Sequence, residues 1–143
     1  MDASTRPLPV PTDLTLPFWQ AAKAGRLDLQ YCTDCAGFQF YPRPCCVRCG
    51  STALQWRTSA GLGRIYTYTI NHRAANPYMA DKLPYAVAVV QLDEGPRMMG
   101  NLINTPLSEI TIGLRVRTVF EPVSDDITLV HFEAEPATRQ EQP

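Results

Sequence analysis

All five cysteines of the 143-residue chain lie between Cys32 and Cys49. Four of them form two pairs, with two residues inside each pair and ten residues between the pairs: Cys32 with Cys35, and Cys46 with Cys49. Four thiolates can surround one zinc ion tetrahedrally, because each two-residue spacer forms a tight turn that directs both sulfurs to one point. The spacing therefore predicts one structural zinc ion held by these four residues in a zinc ribbon.

The fifth cysteine, Cys45, does not keep this spacing, so we interpret it as a bystander thiol. Two disulfides or a dithiol redox site are the alternatives, but a redox site needs only one C-x-x-C motif, beside a helix in a βαβ unit. A catalytic zinc ion usually has His or carboxylate ligands, and neither His72 nor His131 is near the cluster in sequence. Gly37 and Gly50 each follow a cysteine pair closely, where we expect turns with positive φ.

Composition suggests a single modest core and a reducing compartment. The chain is 45% apolar, which suffices for one core with a small appendage. It has no run of about eighteen apolar residues, and its start lacks a basic and then an apolar region, so we expect neither a membrane span nor a signal peptide. We therefore expect a cytoplasmic protein, in which clustered cysteines are more often metal ligands than disulfides.

The charge distribution bears on nucleic-acid binding. Residues 1–75 contain eight Lys/Arg and four Asp/Glu, whereas residues 76–143 contain five and ten. Zinc with four thiolates adds about two negative charges to the first half. Nucleic-acid binding depends on clustered cations, which are missing on that scale. Tyr66 and Tyr68 share a face with Ile70, as in a barrel interior or a protein-binding surface, but they are also spaced to stack bases. Single-strand nucleic-acid binding is therefore our alternative function.

Residues 1–29, which precede the cysteines, are predicted to form a tail and a short helix. The tail is rich in proline, and we expect it to be extended and unstructured before Thr12. Phe18 and two alanines share a helical face, and Gly25 marks the end of the helix. The next segment alternates apolar side chains with polar ones, among them Gln30, as in a strand that leads into the first cysteine turn.

We assign residues 30–53 to the zinc ribbon, 54–134 to an OB-fold and 135–143 to a disordered tail. The chain is thus predicted to be mainly β, with five or six strands in a barrel, because closure removes the exposed edges of so small a sheet. The candidate strands are LQWRT, GRIYTYTIN, YAVAVVQL, RMMGNLI, RVRTVF and ITLVHFE, separated by turns such as AGLG. YAVAVVQL is apolar on both faces and should occupy a central position.

Several stretches, taken in order, resemble a known family: GRLDLQYCTDC, FYPRPCCVRCGS, SAGLGRIYTYTI, PYAVAVVQLDEGPRMMGNL and IGLRVRTVFE. Within residues 17–133 the chain is similar to the acyl-CoA-associated family of domain of unknown function 35. The resemblance implies an N-terminal helix, a rubredoxin-like zinc ribbon with the four paired cysteines as ligands, and an OB-fold. The usual proline after the third ligand is Val47 here, and Cys45 is an additional thiol.

The resemblance also implies a non-catalytic accessory subunit of an acyl-CoA-processing enzyme. The partner would be thiolase-like, in a thiolase, aldolase or acyltransferase complex, or else a hydratase, and the subunit would help to form the complex or its substrate channel. The residues agree, because the chain has no nucleophile elbow, phosphate-binding glycine loop or paired-carboxylate motif. We expect no catalytic residue.

The link between GRIYTYTIN and YAVAVVQL has about fourteen residues, more than an ordinary hairpin loop. Its Tyr78 and Met79 are typical interface residues. Arg73 and Lys82 are candidates to contact the phosphates of coenzyme A, or acidic side chains of a partner. A solvated loop without contacts is the alternative. His72 lies in the same link and could act as a base, but we interpret it as a surface histidine. Direct acyl-CoA binding by the isolated chain is a third hypothesis for its function.

Overall fold

The computed structural model describes residues 6–136. These residues are mainly β, as predicted, with one short α-helix and eight strands. In chain order the elements are α1 (Leu16–Lys23), β1 (Asp28–Cys32), β2 (Gly37–Gln39), β3 (Leu54–Thr58), β4 (Leu62–Asn71), a 3₁₀ turn (Pro77–Met79), β5 (Tyr85–Leu92), β6 (Arg97–Leu102), a second 3₁₀ turn (Leu107–Glu109), β7 (Arg115–Pro122) and β8 (Thr128–Ala134).

Helix α1 confirms the predicted helix and its boundaries. Phe18, Ala21 and Ala22 are buried, and the helix lies against β1, β7 and β8. Pro17 occupies the first turn, where its missing N–H leaves no helical hydrogen bond unmade. The chain leaves the helix through Gly25, whose φ of 79° is in the left-handed region that glycine adopts without strain.

The ribbon sheet has three strands in the order β2-β1-β3, all antiparallel. β3 pairs with β1 over five residues, from Thr58 opposite Asp28 to Leu54 opposite Cys32. The prediction that placed the segment LQWRT in the barrel is therefore wrong. This segment returns from the second cysteine turn alongside β1, and its backbone groups pair there.

The other five strands form a closed barrel in the order β4-β5-β6-β8-β7. This arrangement confirms the predicted OB-type barrel, with the lower of the two strand counts. Each strand is paired on both sides, and a parallel contact of Leu102 with Phe132 joins β6 to β8. Phe132, Ile65, Val90 and Val116 fill the interior and are at most 1% exposed.

Strand β5, predicted to be central, pairs with β4 on one side and β6 on the other. This pairing does not distinguish it as the central strand, because every strand of the closed barrel has two neighbours. The burial of β5 alternates along its whole length. Ala86, Ala88 and Val90 point into the barrel and are buried, whereas Val87 and Val89 are only half-buried on the outer face. The strand therefore has apolar side chains on both faces and presents some of them outside the barrel.

The chain enters the barrel through the predicted AGLG turn. Gly61 has a φ of 74°, and its carbonyl oxygen accepts hydrogen bonds from the Thr118 N–H at 2.8 Å and the Thr118 hydroxyl at 2.9 Å. A Cβ at Gly63 would lie 2.5 Å from the Gln91 carbonyl oxygen. Both glycines are thus needed for the close approach of β4 to its neighbours.

Both ends of the described chain contact the barrel. Arg6 forms an ion pair of 3.1 Å with Glu121, and the N–H of the buried Glu135 donates to the Arg115 carbonyl oxygen at 3.0 Å. The predictions of an unstructured start and a disordered end are wrong at Arg6 and Glu135, and residues 1–5 and 137–143 lie outside the described residues. Within residues 6–136, no helix is long and apolar enough to cross a membrane.

Candidate metal centre and adjoining grooves

The structure brings four cysteine sulfurs together at one end of the ribbon sheet. They belong to Cys32, Cys35, Cys46 and Cys49, and all lie within 4.8 Å of one another. The Sγ atoms of Cys32 and Cys49 are 3.6 Å apart, as are those of Cys35 and Cys46. A zinc–sulfur bond of about 2.3 Å in a tetrahedron requires sulfurs about 3.8 Å apart, so the donor set fits zinc. All five cysteines are free thiols rather than disulfides.

Two tight turns deliver the paired sulfurs. In the second turn, the Gly50 N–H donates to the Cys46 carbonyl oxygen at 2.9 Å, and Gly50 has the predicted positive φ, 76°. In the first turn, the Ala36 N–H donates to the Cys32 carbonyl oxygen at 2.9 Å, and Ala36 itself has a φ of 59°. The prediction of positive φ at Gly37 is therefore wrong by one residue.

Backbone N–H groups favour the thiolate form of Cys46. The N–H groups of Cys49 and Arg48 lower the pKa of the Cys46 thiol to about 6, and the Arg48 nitrogen lies 3.5 Å from the sulfur. The Cys35 thiol is hydrogen-bonded to the Cys46 sulfur, and this bond is the main reason that the pKa of Cys35 is raised to about 12. The thiolate is the form that binds a metal ion, so this turn is prepared for a cation.

Cys45 is exposed and lies outside the group of four sulfurs.

Beneath the second cysteine turn lie two buried side chains that were not predicted to have a role, Gln30 and Gln39. The strand pattern placed Gln30 on the polar side of β1, but it is only 4% exposed. Its position two residues before Cys32 on the same strand face is the signal in the sequence that could have indicated this burial.

A groove of about 780 Å³ lies between the β4–β5 link and the end of the barrel; we call it the loop groove. Tyr78, Met79 and Lys82 of the link contribute to it, together with Arg6 from the start of the chain. Lys82 Nζ lies 4.2 Å from the centre of the Tyr78 ring and 3.5 Å from a carboxylate oxygen of Asp81. The link therefore forms a wall of the loop groove, and it is not without contacts, because the Arg6 guanidinium lies 4.8 Å from the centre of the Tyr78 ring.

Arg73 and His72, in contrast, are exposed and do not line the loop groove. Of the two cations proposed to contact coenzyme A, the structure places only Lys82 at this groove.

A polar cluster of His131, Glu121 and Arg6 lies at the wall of the loop groove. His131 is 5% exposed, and its Nε2 lies 2.7 Å from Glu121 Oε1. Burial alone would raise the pKa of Glu121, but hydrogen bonds with His131 and Arg6 outweigh burial and lower it. The sequence did not predict this cluster, in which Arg6 is 115 residues from Glu121 along the chain.

A second groove, of about 530 Å³, lies between α1, the ribbon and the outer face of the barrel; we call it the helix groove. Trp19 and Tyr41 form one wall, and Val87 and Met99 form the opposite one. Met99 is 70% exposed and Tyr41 is 45% exposed. Met79 and His131 line both grooves, so the two form one continuous surface.

Two family models match the chain in succession. The rubredoxin-like zinc ribbon domain of ChsH2 matches residues 19–55, and the C-terminal OB-fold domain of ChsH2 matches residues 56–121. Their order agrees with the ribbon sheet followed by the barrel.

Two curated relatives are similar over different shares of their length. A probable enoyl-CoA hydratase alpha subunit of Thermomonospora curvata is 38% identical over 128 residues, which are 87% of this chain and 38% of that protein. A DUF35 domain-containing scaffold protein of Pyrococcus furiosus is 30% identical over 106 residues, which are 71% of this chain and 77% of that protein. The chain thus spans little more than a third of the first relative and most of the second.

Among solved structures, a chain of the Ltp2-ChsH2(DUF35) aldolase is 32% identical, with a TM-score of 0.78. The match covers 89% of this chain and 98% of that chain. Similarity therefore extends over the whole of that chain and includes both the ribbon and the barrel.

Proposed function

The chain belongs to the DUF35 family, with a ChsH2-type zinc ribbon followed by an OB-fold, and from this premise we propose that it is a non-catalytic accessory subunit of an acyl-CoA-processing enzyme. The resemblance noted in the sequence is thereby confirmed. The similarity to a chain of the Ltp2-ChsH2(DUF35) aldolase over 98% of that chain carries the proposal. The relatives named as a scaffold protein and as an alpha subunit support a role beside another polypeptide.

We propose a thiolase-like partner first, in a thiolase, aldolase or acyltransferase complex. The similarity to a chain of the Ltp2-ChsH2(DUF35) aldolase supports an aldolase complex among these three. A hydratase is the second candidate, supported by the relative from Thermomonospora curvata. Both partners process acyl-CoA, and the accessory subunit would help to form the complex or its substrate channel.

The continuous surface of the two grooves is our proposed contact with the partner. Exposed, contiguous apolar side chains on a small domain are typical of a protein interface, and methionine and tyrosine are enriched there. Met99 and Tyr41 supply such side chains on the helix groove, and the half-buried Tyr78 adds an aromatic ring on the loop groove. A partner seated here would contact the ribbon, the link and the barrel together.

We propose Cys32, Cys35, Cys46 and Cys49 as the ligands of the structural zinc ion. Four thiolates fill its tetrahedral coordination and leave no open position, so the ion supplies folding free energy rather than chemistry. The unpaired state of the cysteines supports the proposed cytoplasmic location, where thiols remain reduced.

A contact of Lys82 with a coenzyme A phosphate remains part of the proposal, supported by its position at the loop groove. The same contact was predicted for Arg73, but nothing in the described residues adds support for it. Calorimetry with a coenzyme A thioester, on the chain alone and on its complex, tests whether the phosphate site exists in either.

Co-expression tests the accessory role. The chain is produced with a tagged thiolase-like, aldolase or hydratase protein from its gene neighbourhood, and the eluate is examined by gel filtration. We expect one of these proteins to elute with the chain as a stable complex. If each of them elutes alone, the accessory role fails, and a salt-dependent shift of a fluorescent oligonucleotide would then favour nucleic-acid binding.

A further inference from the structure

Gln30 on β1 and Gln39 on β2 lie directly opposite each other beneath the second cysteine turn. Their exposures are 4% and 6%. A buried primary amide is costly unless its donors and its acceptor are hydrogen-bonded. The partners of these two amides therefore show which part of the chain they hold.

The Gln30 amide binds both backbone groups of Arg43. Its Nε2 donates to the Arg43 carbonyl oxygen at 3.0 Å, and its Oε1 accepts the Arg43 N–H at 2.8 Å. A residue on a neighbouring β-strand would make the same pair of hydrogen bonds. One side chain thus takes the place of a strand next to the segment that leads to the second cysteine pair.

The Gln39 amide continues this pairing towards the metal ligand. Its Nε2 donates to Gln30 Oε1 at 2.8 Å and to the Cys45 carbonyl oxygen at 3.3 Å, and its Oε1 accepts the Val47 N–H at 3.0 Å. The backbone is therefore held at alternate positions, 43, 45 and 47. Cys46 lies between the last two of these anchors.

We propose that Gln30 and Gln39 form a glutamine clamp that holds residues 43–47 in the metal-binding conformation and so positions Cys46 before the cation arrives. The inference rests on the proposed zinc site. It assigns to the two glutamines a positioning role that the four ligands alone do not provide, because the glutamines bind the backbone before and after Cys46, whereas its own backbone groups bind Gly50 and Ser51.

Val47 has a defined part in the clamp. It stands where the family resemblance leads one to expect proline, and its N–H is the donor that Gln39 accepts. A proline at this position has no N–H to donate. In this chain the N–H at position 47 is therefore available to the clamp, and a proline would remove this anchor.

Without the clamp, the turn would have to be ordered when the metal binds, and metal affinity would fall. Loss of the groups that orient metal ligands typically lowers affinity about 10- to 100-fold. The set of ligands would remain four thiolates. The expected signature is thus faster zinc release with an unchanged metal spectrum.

Zinc transfer to a chromophoric chelator tests the clamp in Gln30→Met, Gln39→Met and the double variant. Gln55→Met, which alters an exposed glutamine on β3, is the matched control. We expect each single variant to release zinc about tenfold faster than the control. The double variant should be little faster than either single variant, because each amide orients the other. Cobalt-substituted variants should keep the tetrahedral four-thiolate spectrum.

Release at the control rate in both single variants would overturn the clamp. A variant that fails to fold is recognised by loss of the cooperative unfolding of the barrel. Val47→Pro then provides the independent test, because Val47 is 66% exposed and only its N–H enters the clamp. It should speed zinc release from the otherwise unaltered chain relative to the Gln55→Met control; release at the control rate would contradict the clamp.

Failure of the clamp is distinguishable from failure of the zinc site. Elemental analysis of the unaltered chain gives one zinc equivalent if the ligand assignment is correct. Zinc bound in that chain, with release unaffected by either glutamine, would remove the clamp alone.

Discussion

The Cys46 sulfur illustrates how single residues prepare the metal centre. Two backbone N–H groups of its own turn lower its pKa to about 6 and so favour the thiolate, the form that binds a cation. Its carbonyl oxygen and N–H are also held, by Gly50 and Ser51. Hydrogen bonds of its own turn thus position one of the four proposed ligands and favour its charged form.

Serine at a proposed ligand position should abolish the zinc site. Cys32→Ser and Cys49→Ser each remove one of four thiolates, and we expect bound zinc to fall from one equivalent to well below one. Cooperative unfolding of the ribbon should be lost as well, because metal binding supplies its folding free energy. Elemental analysis and thermal unfolding measure these effects.

Cys45→Ser is the matched control for this prediction, since Cys45 lies outside the sulfur group. It should keep one zinc equivalent and the stability of the unaltered chain. Full zinc content in both ligand variants would remove the ligand assignment.

Sequence spacing is enough to predict that the four sulfurs meet, because a two-residue spacer allows few backbone conformations of the turn. It does not reveal Gln30, since strand alternation separates polar from apolar side chains but not exposed polar groups from those that bind the backbone. It also misplaces the positive φ of the first turn, which Ala36 adopts in place of Gly37. Such details depend on contacts with other parts of the chain.

At the scale of elements, strand patterns predict strands better than they predict sheets. The segment of β3 has an ordinary strand pattern, and only its pairing with β1 assigns it to the ribbon. In β4, a register shift between Ile65 and Thr67 breaks the alternation. Tyr66 and Thr67, although consecutive, are therefore both exposed, and the Arg97 guanidinium lies 3.7 Å from the centre of the Tyr66 ring.

An ion pair between elements gives the barrel a testable pH dependence. Asp93 follows β5, and both its carboxylate oxygens accept hydrogen bonds from Arg115 at the start of β7, at 2.8 and 3.1 Å. Arg115 lowers the pKa of Asp93 below its ordinary value of 3.8. A lowered folded-state pKa means that the pair stabilises the fold above pH 3.8 and that this stability is lost as the pH falls through the folded-state pKa.

We therefore expect Asp93→Asn to lower the free energy of unfolding at pH 7 by at most about 1 kcal/mol, since the carboxylate is partly exposed. The difference from the unaltered chain should disappear in acid, below the folded-state pKa. Urea unfolding at several pH values measures it, with the exposed Asp125→Asn as the control. A difference that is constant with pH, or that grows in acid, would rule out the ion pair as its cause.

At the scale of the whole molecule, the grooves depend on residues that are distant in sequence. Tyr41 of the ribbon and Met99 of β6 line the helix groove together, and Arg6 and His131 line the loop groove. The sequence indicates the interface character of Tyr78 and Met79 but not which parts of the barrel they join. Tertiary packing alone brings these residues to one surface.

Met99→Asp should weaken partner binding about tenfold or more without unfolding the chain, because a charge would replace an apolar side chain that is 70% exposed on the helix groove. Ile112→Asp is the matched control, since Ile112 is 67% exposed and lines neither groove. The affinity of each variant for the partner, immobilised on a surface, is measured and compared. Equal affinity loss in both variants would move the interface away from the grooves.

A turnover assay on three samples decides whether the chain is an accessory subunit: the chain alone, the co-purified partner alone, and their complex, each with an acyl-CoA substrate of the partner. We expect no turnover by the chain alone and higher turnover by the complex than by the partner alone. Turnover of the thioester by the purified chain, or a partner whose rate is the same with and without it, would contradict the accessory role.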